Sequence, residues 1–192
     1  GPEVGAFEEL MSKYIGAKHT IACANGTDAL QMPLMAFGIG PGDAVFCPSF
    51  TFAATAEVVA LVGAEAVFVD IDPDTYNMDA GSLRAAIDHV KAEGRFTPKA
   101  IIAVDLFGLA ADYDAIEAIA AREGLRIIED AAQSVGGVRG NKQCGSFGDV
   151  GSTSFYPAKP LGCYGDGGAV FTDDDELAEV LRSIAFHGKG TS

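Results

Sequence analysis

Short β-rich apolar runs alternate with longer helical patterns along the whole of this chain, and that alternation leaves few folds open. Strands are expected at residues 19–24, 44–47, 66–70, 100–106, 125–128, 150–155 and 169–172. Between them, apolar residues recur at helical spacing over residues 3–14, over a stretch that ends at Phe37 with Pro33 as a candidate kink, and over residues 53–62, 112–122 and 174–186. A further helix is capped by Asp79 and buries Leu83, Ile87 and Val90 on one face. Gly38, Gly63 and Gly124 stop three of these helices. Apolar strands separated by helices need both sheet faces covered, which predicts an α/β fold of three layers, α/β/α, around a mainly parallel (mixed) sheet. No repeat, low-complexity tract or linker divides the 192 residues, so residues 1–192 are read as one domain.

Composition narrows the function classes. Lys and Arg number 13 against 27 Asp and Glu, a formal charge of −14 that repels a polyphosphate backbone and argues against nucleic-acid binding. Any anionic ligand must then be held by a local site. No apolar run approaches the roughly 18 residues that span a bilayer, and the N-terminus lacks a basic segment followed by an apolar one, so a cytoplasmic protein without membrane contact is expected. Cys23, Cys47, Cys144 and Cys163 form no C-x-x-C pair, and His19, His89 and His187 are scattered; free thiols and no metal site are expected.

In parallel sheets, ligands collect beyond the carboxyl ends of the strands. Asn25-Gly26-Thr27 follows the first strand and opens a helix, which makes it either a phosphate seat or an ordinary helix cap. Glu129-Asp130-Ala-Ala-Gln133 ends another strand; a carboxylate there needs a cationic or N–H partner, supplied by a protonated heterocycle or by the fold itself. Pro48-Ser-Phe-Thr-Phe52 offers aromatic rings that stack on a flat ligand or pack in the core, and core packing is the expectation for Phe50. Lys159 stands between Pro157 and Pro160, five residues after Ser154 and just before Gly162, Gly165, Gly167 and Gly168. The prolines stiffen this segment, and the glycines permit left-handed turns or close approach to a ligand. It reads as a shaped loop presenting an amine, or as a Gly/Pro turn with a solvated lysine.

Asn25-Gly-Thr-Asp-Ala-Leu30, Pro48-Ser-Phe-Thr-Phe-Ala-Ala-Thr55, Glu129-Asp-Ala-Ala-Gln-Ser134 and Ser154-x4-Lys159, in this order, resemble the DegT/DnrJ/EryC1/StrS family of pyridoxal-phosphate-dependent sugar aminotransferases, which have the aspartate-aminotransferase-like fold. Pro41-Gly-Asp43, Val69-Asp-Ile-Asp72, Phe107-Gly108 and Phe186-His-Gly188 extend the resemblance along the chain. It implies pyridoxal 5'-phosphate as cofactor and Lys159 as the Schiff-base lysine and general base. Asp130 is then the partner of the pyridinium nitrogen, Gln133 the contact of the phenolic oxygen and Phe52 the ring cover, with Gly26, Thr27 and Ser154 at the phosphate. The implied reaction moves an amino group from glutamate to a nucleotide-linked keto sugar. The phrasing around residues 23–31 and 159–168 is most similar to enzymes aminating C3 of UDP-linked N-acetylhexosuluronic acids.

Intact members of that family are about twice this length. The resemblance therefore implies a cofactor-binding large domain without the first helix and without the small C-terminal domain, whose basic and amide residues complete the phosphate site across a homodimer interface. Three other readings compete with this one. A non-catalytic module of the same fold would bind the cofactor without turnover. Sugar dehydratases of the family carry histidine where Lys159 stands. A nicotinamide enzyme is disfavoured because Gly165-Asp-Gly-Gly168 lacks the final glycine, with Val170 in its place, and precedes a strand.

Overall fold

The computed structural model describes residues 1–189; residues 190–192, including the terminal Thr191-Ser192, lie outside the described residues. In chain order the elements are α1 (Pro2–Ile15), β1 (His19–Cys23), α2 (Gly26–Ala36), β2 (Asp43–Pro48), α3 (Ala54–Leu61), β3 (Glu65–Val69), α4 (Ala80–Glu93), β4 (Thr97–Val104), α5 (Tyr113–Glu123), β5 (Arg126–Asp130), β6 (Val138–Arg139), β7 (Lys142–Gln143), β8 (Val150–Ser154), β9 (Gly168–Thr172) and α6 (Asp175–Ala185). A single 3₁₀ turn, Leu106–Gly108, follows β4.

Seven strands form one sheet in the order β1-β9-β8-β5-β4-β2-β3, and β6 and β7 pair separately. Every neighbouring pair from β8 to β3 is parallel, whereas β9 runs antiparallel to both β1 and β8. The mixed, mainly parallel α/β/α sandwich is thus the expected one. Side chains alternate along the strands and separate two apolar layers. Ala44, Phe46, Ile101, Ala103 and Ile127 pack under α4 and α5 with Leu83, Ile87, Val90, Ile116 and Ile119. Val45, Cys47, Ala100, Ile102 and Ile128 face α2 and α3 on the other side. At the β1 edge, Val170 meets α2 and α6 through Met32, Ala178 and Leu181, and Phe171 meets α1 through Met11 and Ile15.

Helix limits follow local chemistry. The Asp79 carboxylate accepts from Ser82 N–H at 2.6 Å, the cap read from the sequence, and Asp174 caps α6 in the same way. Helix α2 runs through Pro33 for three more residues. Most element limits move by one or two residues, and β4 differs most from expectation. Strand β4 begins at Thr97, earlier than residue 100, and tolerates Pro98 because its pairing with β2 shifts register between Ala44 and Val45. It ends before Leu106 because Phe107, at φ +56°, turns the chain into the 3₁₀ turn. The β6–β7 hairpin was not foreseen, although Gly140-Asn141 is its turn signal and Gly140 has φ +62°. No helix among the described residues is long and apolar enough to cross a membrane.

Candidate active site

Four adjacent segments of the sheet's carboxyl edge carry the residues singled out above: β8 leads to Ser154 and Lys159, β5 to Asp130 and Gln133, β4 to Phe107, and β2 to Phe50 and Phe52. The start of α2 lies against the end of β8. A methyl group on Gly26 would sit 2.6 Å from Ser154 Cβ, so only glycine lets this helix start lie against the end of β8. Asn25 caps the helix by accepting from Asp28 N–H at 2.8 Å. The cap reading of this segment is correct, and among the described residues the amides of Gly26 and Thr27 have no protein acceptor. Free amides at a helix N-terminus beside the Ser154 hydroxyl suit a phosphate dianion. Gly26→Ala is expected to weaken pyridoxal phosphate binding about 10-fold or more while leaving the far core intact, since the clash falls on Ser154. Cofactor titration measured by absorbance checks it.

Asp130 is buried at the end of β5 and accepts from Thr55 Oγ1 at 3.0 Å and from Ala132 N–H at 3.2 Å. Burial pushes its carboxyl above the ordinary range, opposed by those two donors and by the charge of Lys159. A buried carboxylate in this state is a receptor for a cation, and a protonated ring nitrogen is one. Thr51 Oγ1 hydrogen-bonds Thr55 at 2.9 Å, so the turn after β2 holds the donor that orients Asp130. Thr55 lies within one of the quoted motifs but was assigned no role from the sequence.

Gln133 Oε1 accepts from Phe107 N–H at 3.0 Å, which leaves its amide N–H groups free to donate. Lys159 is half-buried, with its ammonium 5.8 Å from the centre of the Phe52 ring, and Phe52 itself is 67% exposed. The lysine sits in a turn in which its N–H donates to Tyr156 O at 2.8 Å. The loop is tied at its neck by Phe155 N–H to Gly167 O and Cys163 N–H to Phe155 O, both 2.7 Å.

Two expectations are corrected. Gly162, Gly165, Gly167 and Gly168 do not make left-handed turns, since none has positive φ. Gly162 and Gly168 instead admit neighbouring backbone: methyl groups there would lie 2.5 Å from Pro157 O and 2.3 Å from Asn25 O. Phe50 is not in the core. It is 48% exposed because the turn after β2 projects past the sheet edge, and its ring lies 5.8 Å from that of Tyr76 and 6.4 Å from that of Phe107. The four cysteines are free, Cys47 and Cys144 buried and Cys163 exposed, and burial raises the Cys47 thiol to about 12.

A seat for an anion, a buried carboxylate for a cation, an exposed aromatic face and an amine, all on one edge, form a set of donors that fits pyridoxal phosphate. The model of the DegT/DnrJ/EryC1/StrS aminotransferase family matches residues 1–192. The chain belongs to that family. Among its relatives, the UDP-2-acetamido-2-deoxy-3-oxo-D-glucuronate aminotransferase of Pseudomonas aeruginosa is 56% identical over 191 residues, which are 98% of this chain and 51% of the relative. A crystal structure of a family aminotransferase from Brucella abortus is 72% identical with a TM-score of 0.99, covering 100% of this chain and 52% of that one. NtdA of Bacillus subtilis, solved with bound cofactor PMP, is 34% identical with a TM-score of 0.88, covering 100% of this chain and 42% of that one. The chain thus spans about half the length of the relatives it matches.

Proposed function

We propose that this chain is the cofactor-binding domain of a pyridoxal-phosphate-dependent aminotransferase that transfers an amino group from glutamate to a nucleotide-linked keto sugar. The observation that carries the reading is the gathering of Lys159, Phe52, Asp130 and the Gly26–Ser154 seat on one edge of the sheet. The bound cofactor would supply an electron sink and a carrier for the amino group. The protein's share is to hold and orient it. The amides of Gly26 and Thr27 and the Ser154 hydroxyl hold the phosphate, Asp130 keeps the ring nitrogen cationic, and Gln133 donates to the phenolic oxygen. Phe52 covers one ring face and excludes water. Lys159 would hold the cofactor and would move a proton at the donor's Cα.

Supporting a sugar nucleotide as acceptor is the activity in the name of the Pseudomonas aeruginosa relative, and the specific proposal is a UDP-N-acetyl-3-keto-hexuronic acid. The charge of −14 leaves an anionic diphosphate dependent on cationic groups beyond these residues. The site is proposed to lie at a homodimer interface, to which the exposed rings of Phe50, Tyr76 and Phe107 offer an apolar edge. Borohydride reduction in the presence of pyridoxal phosphate, followed by peptide mapping, is expected to label Lys159; a label on another lysine would overturn the site. Loss of the cofactor's visible band on adding glutamate distinguishes a working half-reaction from binding alone. Turnover of UDP- and dTDP-linked keto sugars then identifies the acceptor, and exclusive use of a 4-keto sugar would rule out the specific substrate.

A further inference from the structure

Directly behind Asp130 lies a second acidic site for which the proposed chemistry has no use. Asp105, just beyond β4, and Glu129, in β5, are both fully buried, and their carboxyl oxygens and Cys144 Sγ lie within 4.8 Å of one another. Asp105 accepts from Ala111 N–H and Tyr113 O–H, each at 2.9 Å, and more weakly from Ser134 Oγ at 3.4 Å. Glu129 accepts from Gly145 N–H at 2.5 Å and Phe147 N–H at 2.7 Å. Tyr113 and Phe147 stack over the group with ring centres 4.3 Å apart and close it to water. The groups facing it are Tyr113 from α5, Cys144 from the turn after β7 and Asp130 from β5 itself, all neutral or acidic. Among the described residues, neither carboxyl has a Lys, Arg or His within ion-pair distance.

Two adjacent carboxylates in a dry interior without a cation cannot both ionise. Amide and hydroxyl donors engage only part of each carboxylate's acceptor capacity, so a lone pair remains on each acid for one hydrogen bond between them. We propose that Asp105 and Glu129 share a single proton, and that this acid–carboxylate pair is a positioning device for Asp130 and Gln133. The connections run through backbone and side chain: Asp105 N–H donates to Asp130 O at 3.1 Å, Glu129 adjoins Asp130, and Ser134, which touches Asp105, adjoins Gln133. Burial, then Asp105 beside it, pushes the Glu129 carboxyl well above its ordinary range, in the same direction. A second negative charge so close to Asp130 is thereby avoided.

The proton has a measurable sign. Unfolded, both acids are ionised above about pH 5. The folded pair holds one proton more, so stability is full below the unfolded values and falls as pH rises, until the pair releases its proton. The unfolding equilibrium constant then rises about tenfold per pH unit from this site. Asp105→Asn keeps a side chain of the same shape, lets its amide donate to an ionised Glu129, and removes the proton.

The test uses the full chain. Infrared spectroscopy at pH 7 with and without ¹³C-labelled glutamate and aspartate is expected to show a protonated carboxylic acid in the wild type that is absent from D105N. Denaturant titrations from pH 5 to 8 are expected to lose this pH slope in the variant. No protonated acid in the wild type would overturn the shared proton. The positioning role rests on the reading of Asp130 as the ring-nitrogen partner, and its readout is the pH titration of the bound cofactor's visible band. That titration is expected to shift in Asp105→Leu, which has no polar contact, and to return toward the wild type in D105N. An identical titration in all three proteins would overturn the positioning role and leave the shared proton standing. If no cofactor binds, the site assignment fails, and the infrared result still judges the pair.

Discussion

Lys159→Ala is expected to abolish turnover, with a fall of about 10⁴-fold, the upper range of what one proton-transferring group contributes, and to remove the borohydride label. Fold stability is expected to change by less than about 0.5 kcal/mol, because the lysine's structural bond is its backbone N–H to Tyr156 O, which alanine retains. Lys159→Arg provides the control. Arginine keeps the positive charge near Phe52 and Asp130 but stays protonated, so it is expected to be as inactive as alanine. An active arginine variant would mean that charge alone, and not a titratable amine, is required. Steady-state kinetics with glutamate and peptide mapping on the same preparations give both readouts.

Gly151→Ala is expected to have the largest effect on stability. A methyl group at Gly151 would lie 2.0 Å from the carbonyl oxygen of Gly145 and 2.6 Å from its carbonyl carbon. Neither partner can yield: Gly151 lies in β8, hydrogen-bonded between β5 and β9, and Gly145 is held at φ +102° with its N–H on Glu129. The expected loss is about 3 kcal/mol, which lowers Tm by roughly 6 to 12 °C in a domain of this size. Gly5→Ala in α1, where nothing lies within 4 Å of the new methyl group, is expected to be stabilising by about 0.5 to 1 kcal/mol. Thermal unfolding followed by circular dichroism compares the two, and a Gly151→Ala protein as stable as the wild type would contradict the described packing of β8 on Gly145.

The architecture was legible because it rests on periodicity. Strands such as β4 and β5 are nearly continuous apolar runs, as strands buried on both faces must be, and α4 announces itself through Asp79 and its Leu83, Ile87 and Val90 stripe. The β6–β7 hairpin escaped because two-residue strands are too short to show a period, leaving Gly140-Asn141 as its one cue. The expected free thiols and the Asp79 cap required no tertiary information either. The direction of β9 did. It is apolar like the parallel strands β4 and β5, and only its pairing with β1 and β8 makes it antiparallel.

The sequence by itself determined an acidic three-layer α/β domain, the strand ends at which chemistry would collect, and, through four ordered motifs, the family and the residues to look for there. These are local properties, written in period, composition and motif. What only the tertiary structure decided depends on atoms distant in the chain. It brought Gly26 against Ser154, aimed Thr55 at Asp130, and exposed the Phe50 ring that local hydrophobicity alone would have buried. It also changed the meaning of the glycines after Lys159, from flexible turns to gaps for passing backbone. Finally it set Asp105 against Glu129, because a carboxylate's cost and protonation are fixed by what surrounds it, and those surroundings exist only once β4, β5 and α5 are packed.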